Sequence, residues 1–101
     1  MKYLESVGAK AVKFHGNRFV QAGTPDILGC YKGFSFVIEC KVDKNKTTKI
    51  QDHQLNQWCL AGAYTVVAYD IEQVKFIIES IDLQYLVDRR ARWKKAGTEK
   101  K

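Results

Sequence analysis

Between residues 34 and 41 polar and apolar positions follow the two-residue period of a β-strand. Phe34, Phe36, Ile38 and Cys40 leave one face, and Ser35, Val37, Glu39 and Lys41 leave the other. This is the clearest strand in the chain, and the flanking pattern supplies its neighbours. Residues 3–7 read as the last turns of a short helix stopped by Gly8. Residues 9–14 read as a strand, His15-Gly16-Asn17 as a turn, and residues 18–21 as its return. Pro25 fixes its own φ and biases Thr24 toward extended backbone, which sets Asp26 at the mouth of a strand over 27–31. Lys32-Gly33 predicts a hairpin turn into the strand at 34–41.

Residues 42–46 form a lysine-rich loop. Thr48-Lys49-Ile50-Gln51 matches a helix capping box and predicts a helix to about Ala61, closed by Gly62, with Ile50, Leu55, Trp58, Cys59 and Ala61 on its apolar face. Residues 64–69 are an uninterrupted apolar run, the pattern of a strand buried on both faces. Asp70 is placed to cap a helix over 71–79, and a second helical stretch is expected from 82 to about 95. The order is that of a mixed α/β domain with a central sheet flanked by helices. There is no internal repeat and no linker.

At 101 residues and 46% hydrophobic content, the chain is one folded domain rather than a disordered segment. No apolar run approaches the roughly 18 residues of a membrane span, and the first residues lack the apolar stretch of a secretory signal. Cys30, Cys40 and Cys59 are odd in number and fit no zinc spacing, which points to reduced thiols in a cytoplasmic setting. The net charge of +6 is concentrated at one end. Residues 88–101 carry seven Lys/Arg against Asp88 and Glu99, so residues 1–87 form a nearly neutral body and 88–101 a basic helix end or tail. Such a tail suits a polyanion or an anionic surface, and equally a plain solubilising terminus.

The chemistry lies in the body. Glu39 and Lys41 leave one strand face about 7 Å apart. With Asp26 opening the adjacent strand, two carboxylates reach one end of the sheet. Two carboxylate oxygens and a main-chain carbonyl, completed by water and substrate phosphate, are how proteins commonly hold magnesium. A lysine beside them can orient a water or stabilise charge developing on phosphorus. Each part has a bland explanation when taken alone. A Glu-x-Lys on a strand is ordinarily a surface ion pair worth under about 1 kcal/mol. Pro-Asp is turn chemistry, Gln51 suits a capping box, and Gln54 a solvated helix face. The ordered combination is what carries the metal-assisted phosphodiester chemistry.

Gly23-Thr24-Pro25-Asp26-Ile27-Leu28, Phe36-Val37-Ile38-Glu39-Cys40-Lys41, Gln51 to Gln54 and Ala61-Gly62 together resemble the PD-(D/E)XK nuclease superfamily. Within it they resemble the small standalone VRR-NUC type carried by phages and prophages. Lys13-Phe14-His15-Gly16 and Val66-Val67-Ala68 extend the likeness over residues 3–78. The resemblance implies a restriction-endonuclease-like fold and a metal-dependent DNA endonuclease in the cytoplasm of a bacterial host. Asp26, Glu39 and the Cys40 carbonyl would hold Mg2+ or Mn2+, with Lys41 as the catalytic lysine and Gln51 as the helix glutamine. Lys13 matches a basic position and is expected to contact substrate phosphate.

The likeness departs at the first helix. Relatives carry a glutamate well before the glycine matching Gly8, whereas Glu5 stands only three residues before it. Arg18, Lys44, Lys46, Lys49, Gln54, Arg89 and Arg92 complete the expected DNA contacts, which give affinity but little sequence information. No base-reading recognition helix is evident. Shape-selective cutting of a branch, flap or four-way junction is therefore expected, and symmetric junction cleavage would require a homodimer. The rival readings are a DNA-binding module that kept the fold and lost the activity, and a small RNA-binding or ribosome-associated protein suggested by the tail. His15 and His53 have no nucleophilic partner and read as a turn residue and an exposed helix residue.

Overall fold

Lys32 and Gly33 both adopt left-handed backbone, with φ of 49° and 85°. That is the requirement of a two-residue hairpin turn matching the twist of its strands. It joins β2 (Ile27–Tyr31) to β3 (Phe34–Cys40). The computed structural model describes residues 1–14 and 22–99, with side chains of the last helix as far as Asp88. Before the hairpin come α1 (Lys2–Ser6) and β1 (Lys10–Lys13); after it come α2 (Lys49–Leu60), β4 (Tyr64–Ala68) and α3 (Ile71–Glu99).

The sheet order is β1-β2-β3-β4. β1, β2 and β3 form an antiparallel meander, and β4 returns parallel to β3 after the α2 crossover. This is a mixed sheet flanked by helices, of the restriction-endonuclease-like kind.

One sheet face carries the apolar core. Phe36 and Ile38 of β3 pack with Leu4 of α1 and with Ile77, Ile78 and Ile81 of α3, all nearly or wholly buried. Gly29 lies opposite Phe36 in the ladder, and a Cβ there would sit 2.4 Å from the Phe36 ring. The missing side chain is therefore what lets Phe36 lie flat across β2. The hairpin turn is tied to α3 as well. Asp82 Oδ1 accepts from the Tyr31 hydroxyl at 2.8 Å and from Lys32 Nζ at 2.7 Å, while Lys32 Nζ lies 5.2 Å from the Tyr85 ring centroid.

Three expectations need correction. The helices expected at 71–79 and 82–95 are one continuous helix, α3. No glycine or proline interrupts residues 79–82, and burial of Ile77, Ile78 and Ile81 on one stripe holds the helix straight through that point. The strand at 64–68 is not buried on both faces: it is the sheet edge, half-buried from Tyr64 to Val67. The inward face of α2 is also not the one its apolar residues mark. Gln51, Gln54, Leu55 and Trp58 turn inward, whereas Ile50, Cys59 and Ala61 are exposed. Two amides occupy the stripe because it faces the polar end of β3. The expected return strand at 18–21 lies outside the described residues.

Gly23 has φ of +80°, and a Cβ there would meet Ile50 Cγ2 at 2.4 Å and the Ile50 carbonyl oxygen at 2.8 Å. It thus seats the turn before Asp26 against the start of α2. Gly23→Ala is expected to lower stability by about 1–3 kcal/mol, read as a fall in melting temperature. An unchanged melting point would show that α2 shifts freely.

Candidate active site

Strand pairing brings the first carboxylate to the second. Ile27 lies opposite Ile38, so Asp26, one residue before β2, comes level with Glu39. The Phe14 N–H donates to the Asp26 carbonyl at 2.7 Å, extending the β1–β2 ladder and fixing the Asp26 backbone. Its carboxylate then reaches across: Asp26 Oδ2 accepts from the Cys40 N–H at 2.8 Å. In an antiparallel ladder a residue's N–H and C=O leave the strand on the same side. The Cys40 carbonyl therefore opens toward the gap that Asp26 occupies.

Glu39 is 3% exposed, the one charged residue in the described interior. Gln51 Nε2 donates to its Oε2 at 3.0 Å, and Lys41 Nζ lies 3.5 Å from the same oxygen. The other oxygen, Oε1, is buried with no hydrogen-bond partner. Burial raises the Glu39 pKa above the ordinary carboxylate value, the neighbouring Asp26 charge raises it further, and Lys41 partly offsets both. A buried carboxylate with an orphaned oxygen beside a second carboxylate has the donor chemistry that suits a divalent cation. Among the described residues no group of three or more His, Cys, Asp or Glu side chains gathers anywhere. Two carboxylates and a carbonyl are the protein's share here, which fits magnesium, an ion that keeps several waters.

Gln51 performs two tasks with one amide. Its Oε1 accepts from the Thr48 N–H at 2.9 Å, while Thr48 Oγ1 accepts from the Gln51 N–H at 3.2 Å, completing the capping box. Its Nε2 is left to face Glu39. Glutamate would serve the cap equally well but would set a third carboxylate against Glu39. Thr48→Ala is expected to cost about 1 kcal/mol through loss of the cap. It should also lower cleavage, since Gln51 loses its anchor; reduced thermal stability with full activity would separate cap from site.

Lys41 is held at both ends. Its N–H donates to the Ala68 carbonyl at 2.9 Å, and its side chain is only 15% exposed beside Glu39. Lys13 stands exposed at the end of β1, near enough to Cys40 to counter the rise that burial imposes on that thiol. Lys44 and Lys46 are exposed in the loop after β3, and Lys49 is exposed at the first turn of α2. Among the described residues none of these four has an ion-pair partner within 4.0 Å. Gln54 is half-buried one turn beyond Gln51. Arg18, and the side chains of Arg89 and Arg92, lie outside the described residues. Glu5 is exposed on α1, and no hydrogen bond or ion pair joins its side chain to Asp26, Glu39 or Lys41. His53 is exposed, as expected.

One contributor carried no signal in the sequence. The Tyr69 hydroxyl, just past β4, donates to the Asn45 carbonyl at 2.7 Å and so holds the lysine loop beside the site. Asp70 Oδ1 accepts from the Gln73 N–H at 3.0 Å, which is the expected cap of α3.

The mixed sheet flanked by helices is consistent with the restriction-endonuclease-like fold of the PD-(D/E)XK nuclease superfamily, to which the matched family belongs. The family model for archaeal Holliday junction resolvase (Hjc) matches residues 1–90, and the chain belongs to that family. Its members are nucleases of branched DNA. No curated protein individually matches the chain. Among the described residues no helix is long and apolar enough to cross a membrane.

Proposed function

We propose that this protein is a divalent-metal-dependent endonuclease that resolves four-way DNA junctions. The observation that carries the proposal is the buried, unpartnered Oε1 of Glu39, whose carboxylate has Asp26 as a neighbour. Asp26, Glu39 and the Cys40 carbonyl would hold Mg2+ or Mn2+. The bound ion would polarise the scissile phosphate and lower the pKa of an attacking water. Lys41 stabilises the charge developing on the phosphate oxygens, and Gln51 holds Glu39 in place. Lys13, Lys44, Lys46, Lys49 and Gln54 receive the flanking backbone, with Arg18, Arg89 and Arg92 adding contacts that the charge pattern supports.

Two symmetric cuts need two sites, hence a homodimer. The exposed Phe76, Leu83, Leu86 and Val87 of α3 offer apolar surface for one. The motif likeness to VRR-NUC enzymes supports a phage- or prophage-encoded protein acting in the host cytoplasm. A second reading, a DNA-binding module without cleavage, is favoured by the absence of contact between Glu5 and the site.

Labelled linear, flapped and four-way-junction DNA, incubated with Mg2+ or Mn2+, separates the two. Junction cutting that EDTA and Glu39→Ala both abolish is expected. Tight binding without cutting in either metal would install the second reading instead.

A further inference from the structure

Beyond the cation site, α2 carries a second concavity. Gln54, Gln57, Trp58 and Ala61 line a shallow, open groove of about 230 Å³ on its flank. Trp58 is half-buried and is the only Phe, Tyr or Trp of the helix. The lining bears no charge, in contrast to Lys44, Lys46 and Lys49 at the head of the same helix. Charged groups near the site therefore sort to one end of α2, and an indole with two amides to the next two turns.

That chemistry suits a neutral, flat, hydrogen-bonding group rather than a phosphate. An indole offers a stacking surface, and glutamine amides offer the paired donor and acceptor that a base edge requires. The groove lies on the same helix as a residue of the proposed active site. Gln51, whose amide touches Glu39, precedes Trp58 by seven residues, about 10 Å along the helix axis. At about 3.4 Å per nucleotide of stacked strand, that is roughly three steps from a phosphate at the cation site.

We propose that this groove is a subsite for one unstacked DNA base near the scissile phosphate, with Trp58 stacking on the base and Gln54 and Gln57 binding its edge. The inference rests on the nuclease reading and deepens it. A subsite for an unstacked base favours branched DNA, whose strands open at the crossover, over continuous duplex, whose bases stay paired.

The native fluorophore reads this directly. Trp93 is the only other tryptophan, so Trp93→Phe leaves Trp58 as the sole emitter. This protein is titrated, with metal chelated, against a four-way junction and a linear duplex, while anisotropy of a label on the DNA reports binding separately. Saturable quenching of Trp58 by the junction, absent when duplex is bound, is expected. Trp58→Ala, and separately Gln57→Ala, should weaken junction binding about five- to a hundredfold while changing duplex binding little. The exposed Gln57 keeps the test decisive if Trp58→Ala fails to fold.

Binding of the junction without any change in Trp58 emission, or with full affinity in Gln57→Ala, overturns the subsite and leaves the nuclease reading standing. Failure to bind or cut any of these DNAs overturns both.

Discussion

Lys41→Ala is expected to cut junction DNA about 10²–10³-fold more slowly than the parent chain, with DNA affinity and fold retained. The backbone of Lys41 is fixed by the Ala68 carbonyl, so deleting the side chain removes a charge without releasing the strand. The ammonium lies 3.5 Å from Glu39 Oε2 on a side chain that is 15% exposed, so its field acts where water is scarce. There it has two effects. It stabilises charge appearing on the phosphate, and it holds the Glu39 pKa lower than burial and Asp26 would set it. The second effect gives the variant a signature beyond slow cutting. Without Lys41, Glu39 holds its proton to higher pH, so metal binding should weaken more at mildly acidic pH than at pH 8. Single-turnover cleavage, anisotropy and metal titration at two pH values separate these effects. Cutting at the parental rate would remove Lys41 from the site.

The residues brought together here were legible because strand registry is legible. Alternation from Phe34 to Lys41 fixed which side chains share a face, and the Lys32-Gly33 turn fixed the level at which Asp26 meets Glu39. The capping box was legible for the same reason, since it is a local pattern of four residues. Other features depend on partners far along the chain. The bond from the Cys40 N–H to Asp26, the hold of Tyr69 on Asn45 and the latch of Tyr31 and Lys32 on Asp82 span 14, 24 and about 50 residues. No periodicity encodes them. The face of α2 was misread for a different reason. Helical patterning assumes that a buried stripe is apolar, and here Gln51 turns inward to a carboxylate, with Gln54 half-buried one turn on. Gln51 itself was read from two directions, as a cap and as a site residue. Its two ends are occupied separately, one by Thr48 and one by Glu39. The break assumed within α3 failed because Glu79-Ser80 resembles a helix end only when the core contacts on either side are ignored.

Glu39→Gln is expected to abolish cleavage and to raise the melting temperature of the metal-free protein. The Glu39 pKa is raised in the folded state, above a reference value of 4.5. Above that reference the unfolded chain releases a proton that the folded chain still holds, so stability falls as pH climbs through the interval up to the folded pKa. The penalty grows as pH rises above that reference, and glutamine removes it. Its amide can still accept from Gln51 and can supply a donor where Oε1 now has no partner. Each kcal/mol regained moves the midpoint by about 4–8 °C in a domain of this size. The gain should be larger at pH 7 than at pH 4, where the carboxyl is mostly protonated in both states. Metal reverses the ranking. Mg2+ or Mn2+ should stabilise the parent by mass action and leave the variant nearly unmoved. Melting curves at pH 4 and pH 7, with EDTA and with metal, resolve all of this without any cleavage assay. A variant that melts below the parent at pH 7 in EDTA would mean that the ion pair with Lys41 and the bond from Gln51 already satisfy Glu39. The carboxylate would then belong to the fold rather than to a cation.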